Sequence, residues 1–144
     1  MTRLLLIILA LLCLQTFAPA EEHTATRFTY VDVYIDSKDK PLAAWQLEFS
    51  AGASVAIVGI EGGEHPAFKE PPYYDPAAMS HERVILAAFS TARDLPTGRT
   101  RVARIHLQIT GDVKPRYQAK PTTAAGSDGK AIPVTVSVQE GDAK

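Results

Sequence analysis

Cysteine is almost absent from this chain of 144 residues, and the only one, Cys13, lies in an apolar stretch near the beginning. Residues 21–144 therefore contain no thiol, which excludes a disulfide framework, thiolate metal ligands and cysteine catalysis there. An excess of one charge is lacking too: those residues hold 16 acidic side chains and 14 basic ones, the 15 of the whole chain less Arg3. This balance gives no electrostatic reason to expect nucleic acid as a partner.

Recognisable catalytic signatures are also lacking. No serine stands in a G-x-S-x-G turn, and the H-E-x-x-H zinc motif and the twelve-residue calcium loop do not occur. No internal repeat or low-complexity linker divides the chain. We therefore expect one domain over residues 21–144, with no enzymatic activity and no cofactor.

The one long apolar run spans residues 4–14, after Arg3 and before Ala18-Pro19-Ala20. A short basic start, an apolar middle and a small-x-small ending are typical of a signal peptide. Eleven apolar residues are too few for a membrane-spanning helix, which needs about twenty. The pattern predicts a signal peptide over residues 1–20 and export to the periplasm or the exterior, with no transmembrane segment after cleavage.

Several segments have the composition or the period of β-strands. Residues 27–36 are rich in aromatic and β-branched side chains, and Trp45, Leu47 and Phe49 alternate with polar neighbours. Residues 55–60 and 84–89 are short apolar runs, which we interpret as central strands covered on both faces, with a buried helical segment as the alternative for each.

Residues 101–110 alternate again, and Ala103, Ile105, Leu107 and Ile109 share one face. In a regular strand, Arg101 and Arg104 lie on opposite faces. The chain is therefore predicted to be all-β: an antiparallel β-sandwich of jelly-roll or immunoglobulin type with about seven to nine strands.

The C-terminal part predicts a hairpin. Residues 117–120 and 132–138 flank Asp128-Gly129, a dipeptide typical of tight reversals. Pro133 favours an edge position for the last strand. Residues 140–144 are expected to form a flexible tail.

A long loop over residues 61–82 interrupts the strand pattern. Prolines at positions 66, 71, 72 and 76 exclude regular pairing, and long ordered loops are often functional. The loop also concentrates the aromatic residues Phe68, Tyr73 and Tyr74, which are our candidate ligand-contact residues, because rigid rings bury much area at little entropic cost. The alternative is that these rings fold back and cap an open end of the core.

The same loop contains weaker candidates for a metal site. Glu64, His65 and Asp75 carry oxygen and nitrogen donors of the kind that Ca²⁺ and other metals accept. Their spacing matches no metal motif, so we expect no metal, with Ca²⁺ as the alternative.

Four segments resemble cohesin-like domains and the related carbohydrate-binding modules of cellulose-degrading systems: V-D-V-Y-I-D, L-A-A-W-Q-L-E-F, I-L-A-A-F-S and T-G-R-T-R-V-A-R-I-H-L-Q-I. The resemblance covers most of residues 28–110 and extends to small exported bacterial proteins. It implies a nine-stranded jelly-roll sandwich without enzymatic activity that binds a polysaccharide or an extracytoplasmic protein.

Two functions thus follow from the sequence. The first is a non-enzymatic exported binding module of this kind. The alternative is a structural or adhesion subunit that assembles through an exposed strand edge, for which residues 132–138 are the candidate.

Overall fold

A computed structural model describes residues 24–141. The predicted signal peptide, residues 1–20, lies outside this range. Within it, no α-helix occurs, and no helix is long and apolar enough to cross a membrane.

Residues 24–141 form seven strands in two antiparallel sheets, which confirms the all-β antiparallel prediction. The strands are β1 (Thr26–Asp36), β2 (Ala44–Ser50), β3 (Val55–Gly62), β4 (Arg83–Phe89), β5 (Arg99–Thr110), β6 (Gln118–Ala125) and β7 (Thr135–Glu140). The four-stranded sheet has the order β3-β5-β1-β7, and the three-stranded sheet has the order β4-β2-β6.

Strand alternation builds one core from both sheets. Trp45, Leu47 and Phe49 of β2 are buried, as their period of two predicts. The four-stranded sheet contributes the same kind of alternating residues from its two central strands: Val31, Val33 and Ile35 of β1, and Ile105, Leu107 and Ile109 of β5. All of these side chains belong to one hydrophobic cluster, and each contributes about 1.5–3 kcal/mol by leaving water.

The prediction that residues 55–60 and 84–89 form central strands is wrong. Both segments are strands, but β3 and β4 lie at the edges of their sheets. Val58, Ile85 and Phe89 expose 40%, 47% and 65% of their surface. A continuous apolar run suits burial on both faces, but at the edge of a sheet the alternate side chains of such a run point outward.

The predicted C-terminal hairpin is also wrong, although its turn forms. Gly129 adopts a positive φ of 73°, and the N–H of Gly126 donates to the carbonyl of Lys130. Beyond this turn the chain changes sheets, so that β6 pairs with β2 while β7 pairs with β1. The expected edge position of the last strand is confirmed. Glu140 and Gly141, placed in the tail by the sequence, still pair with β1.

Candidate functional site

The connection from residue 63 to residue 82 closes the side of the molecule where β3 and β4 are edge strands. On β3, Ile57 exchanges backbone hydrogen bonds with two loop residues: its N–H donates to His81, and its carbonyl accepts from Ser80, both at 2.8 Å. On β4, Ala87 and Tyr73 exchange two backbone hydrogen bonds of 2.8 and 3.0 Å. One loop therefore covers one edge of each sheet.

Proline shapes two short turns within this loop. The segments Pro66–Phe68 and Pro76–Ala78 each form a single 3₁₀ turn. His65 Nδ1 accepts the N–H of Ala67 at 3.2 Å, and Asp75 Oδ1 accepts the N–H of Ala77 at 2.9 Å. Each turn thus has a proline at its start and a side-chain acceptor before it, the arrangement that suits a helical N-terminus.

The structure separates the three aromatic residues that the sequence groups together. Phe68 is buried and meets the Trp45 ring edge-on, with centroids 6.2 Å apart. Tyr74 is half-buried against the core. Tyr73 is 69% exposed. Phe68 therefore has the position that the capping alternative describes, and of the three only Tyr73 offers most of its ring to a ligand.

Tyr73 lies beside a second exposed ring that sequence reasoning missed. Its ring and that of Phe89 are within 10° of parallel, with centroids 6.2 Å apart, in the range of offset-stacked pairs. Because Tyr73 pairs with Ala87 and side chains alternate along β4, Tyr73, Ile85 and Phe89 share the outer face of the three-stranded sheet. We call these three residues the aromatic surface.

Polar side chains of β2 lie next to the aromatic surface. Gln46 is opposite Ala87, and Glu48 is opposite Ile85. Arg83 donates to Glu48 at 2.6 Å, and this hydrogen bond lowers the pKa of the Glu48 carboxyl. The outer face therefore carries amide, carboxylate and guanidinium groups on the same sheet surface as the exposed rings, and Gln46 is the nearest of them to Phe89 in the strand register.

The apolar run of residues 84–89 predicted a strand but did not show that Ile85 and Phe89 are exposed. Val84 and Leu86 are buried, and the alternating positions 85, 87 and 89 face outward. All six residues from 84 to 89 are apolar, so the sequence does not show which of them are buried and which are exposed. The exposure of Phe89 depends on β4 being an edge strand, which is a property of the whole topology.

The candidate metal ligands do not converge. Glu64 and His65 line a cleft of about 450 Å³ with Asp94, whereas Asp75 lies in another depression beside Arg83. Glu64 Oε1 already accepts the N–H of Arg101 at 2.8 Å. Among the residues that the structure describes, no group of three or more His, Cys, Asp or Glu side chains is placed to hold an ion.

The outer face of the four-stranded sheet carries a row of charged and aromatic pairs. Asp32 accepts two hydrogen bonds from Arg104, at 2.8 and 2.9 Å, and this carboxylate raises the pKa of the Arg104 guanidinium. The same guanidinium lies over the ring of Tyr30, and Arg99 lies over Tyr34. Such pairing satisfies the charges within the sheet.

Arg101 and Arg104 share this face, contrary to the prediction for a regular strand. Val33 is opposite Ala103 and Tyr34 is opposite Arg101, so Val102 is an extra residue in β5. Such a β-bulge reverses the phase of the side chains. The Arg101 Nε consequently lies 3.9 Å from Asp32.

Comparison with protein-family models, curated proteins and solved structures gave no match. The resemblance to cohesin-like and carbohydrate-binding domains therefore stays a prediction.

Proposed function

We propose that the protein is an exported, non-enzymatic binding module, a β-sandwich whose aromatic surface binds a polysaccharide. The observation that carries the proposal is the exposed, nearly parallel pair formed by Tyr73 and Phe89. A sugar ring has an apolar C–H face, which packs on an aromatic ring, and hydroxyl groups around its edge, which need hydrogen-bond partners.

The aromatic surface suits such an amphipathic ligand. Two rings offer the apolar contact, while Gln46, followed along the same sheet face by Glu48 and Arg83, supplies donors and acceptors. Two backbone hydrogen bonds hold Tyr73 against β4, so its backbone is ordered before binding and the entropic cost of ordering is reduced.

The size of the surface favours a polysaccharide over a protein partner. Three exposed apolar side chains make up the aromatic surface. A stable protein interface engages about 20–30 residues on each side. Two exposed rings with hydrogen-bonding groups on the same sheet face are enough to contact a short stretch of a sugar chain.

Binding to cellulose, chitin and xylan tests the proposal, by pull-down for the insoluble polymers and by affinity electrophoresis for the soluble one. We expect at least one polymer to bind. Tyr73→Ala and Phe89→Ala should each weaken this binding about ten-fold or more, equivalent to about 1.4 kcal/mol.

Phe28→Ala is the matched control. Phe28 and Phe89 are both 65% exposed, but Phe28 lies on the four-stranded sheet. Its truncation should leave polysaccharide binding unchanged. Absence of binding to all three polymers, or equal losses for Phe28→Ala and Phe89→Ala, contradicts the proposal.

A further inference from the structure

Each sheet has two edge strands, and the long loop covers one edge strand of each sheet, β3 in one and β4 in the other. Ser80 and His81 hydrogen-bond to Ile57 of β3, and Tyr73 pairs with Ala87 of β4. An edge strand with unpaired backbone groups is a template for pairing with another chain, and covering it is one way to prevent this. On this side of the molecule, both edges are protected at the middle of the strand.

The third edge, β6, is protected by other means. Pro121 lies within the strand and has no N–H to offer a partner. An extra residue, Thr122, makes a bulge opposite Gln46 and Leu47. At the end of β6, the N–H of Ile132 donates to the carbonyl of Ala124.

The fourth edge, β7, has none of these features among residues 24–141. Gly141 donates to Tyr30, and hydrogen-bonded pairs alternate along an antiparallel ladder, so residues 135, 137 and 139 bond to β1. The backbone N–H and C=O groups of Val136 and Val138 then point away from the sheet. No described residue is bonded to them there, and the segment T-V-S-V-Q contains no proline and no charge.

We propose that two copies of the chain pair antiparallel through β7 to make one continuous eight-stranded sheet. A two-fold axis through Ser137 places Val136 opposite Val138 of the second copy. The outward-pointing backbone groups of both strands then meet in hydrogen-bonded pairs. This register uses every residue from Val134 to Glu140.

Side chains also match in this register. Val136 and Val138 are half-buried against the core, so the inner faces of the two copies meet through valine pairs. On the outer face, the two Ser137 side chains meet on the axis, and Thr135 lies opposite Gln139. The single charge of the strand, Glu140, is opposite Val134, so no like charges are juxtaposed.

This self-complementarity is the reason to choose a second copy over an unrelated strand. A two-fold antiparallel pair requires the same strand to supply both halves of every contact. The sequence of β7 does so with apolar groups inside and small polar groups outside.

Light scattering coupled to size-exclusion chromatography tests the proposal over a wide range of protein concentration. We expect a reversible monomer–dimer equilibrium. Ser137→Lys should raise the dimer dissociation constant about ten-fold or more, because it places two positive charges on the axis. Mixing Ser137→Lys with Ser137→Glu should restore a mass of two chains.

Thr123→Lys is the control, since it adds the same charge to an exposed position of β6. It should associate as the unmodified chain does. Circular dichroism must show that both lysine variants are folded. A strictly monomeric unmodified chain, assembly beyond two copies, or an unchanged dimer in Ser137→Lys overturns the proposal. Tyr73 and Phe89 have no part in this contact, so polysaccharide binding can fail without affecting it.

Discussion

Phe68 and Trp45 meet edge to face, with ring centroids 6.2 Å apart and planes at 69°. Trp45 belongs to the middle of the three-stranded sheet, and Phe68 belongs to the loop after β3. The contact thus fixes the long loop to the core from within, while the backbone bonds to Ile57 and Ala87 fix it at both sheet edges. The loop is a structural part of the molecule as well as the element that presents Tyr73.

The burial of Phe68 predicts a large effect on stability. Phe68→Ala should lower the free energy of unfolding by about 3 kcal/mol, because it leaves a cavity beside Trp45. Tyr73→Ala, in the same loop but mostly exposed, should cost about 1 kcal/mol or less. Urea denaturation of the two variants measures this difference. Equal losses would show that the Phe68 ring does not anchor the loop.

Alanine substitutions at Gly62 and Gly59 should differ in their effect on stability. A Cβ at Gly62 would collide with the backbone carbonyl oxygens of Lys69 and Glu70, where the loop crosses the end of β3. Gly62→Ala should therefore destabilise the fold by about 1–3 kcal/mol. A Cβ at Gly59 would lie 3.5 Å from the His106 side chain, an ordinary contact, so Gly59→Ala should change stability by no more than about 0.5 kcal/mol. Thermal unfolding checks both, and the reverse order would contradict this account.

Much of the fold could be predicted because it depends on local patterns. The alternation of Trp45, Leu47 and Phe49 specifies which face of β2 is buried wherever the strand is placed. The position of a strand in its sheet could not be predicted in this way, because the same apolar run suits a central or an edge strand. The sequence therefore predicted the strand that contains Phe89 but placed it at the centre of a sheet.

The candidate site was harder to predict for two physical reasons. Phe68, Tyr73 and Tyr74 are similar in type and close in sequence, yet their burial differs because the Pro66–Phe68 turn directs one ring inward. The bulge at Val102, which places Arg101 and Arg104 on one face, is a property of pairing with β1. Neither the inward direction of the Phe68 ring nor the bulge at Val102 produces a periodic pattern in the sequence.

The Asp32–Arg104 salt bridge is more buried than the Glu48–Arg83 salt bridge, so we expect it to contribute more to the free energy of unfolding. The Asp32 side chain is 13% exposed and forms a salt bridge with Arg104 at 2.8 Å, and the Arg101 guanidinium lies 3.9 Å from the same carboxylate. Asp32→Asn should destabilise the protein by about 1–2 kcal/mol, since two guanidinium groups lose their anion. Glu48→Gln removes the partner of Arg83 at a more exposed position and should leave stability nearly unchanged. Chemical denaturation at low salt compares them, and a larger loss for Glu48→Gln would refute the argument.

Tyr117 predicts how stability depends on alkaline pH. Burial, followed by the negative charge of Glu140, raises the pKa of the Tyr117 hydroxyl from 10.0 to about 12. The neutral hydroxyl is thus favoured in the folded state, so this contribution to stability is complete below pH 10 and is lost as the pH rises towards about 12. Tyr117→Phe should reduce the loss of unfolding free energy across this interval, as measured by chemical denaturation at pH values below and within it. Tyrosinate absorbance should show a late-titrating component that disappears in Tyr117→Phe, and its persistence in that variant would contradict this account.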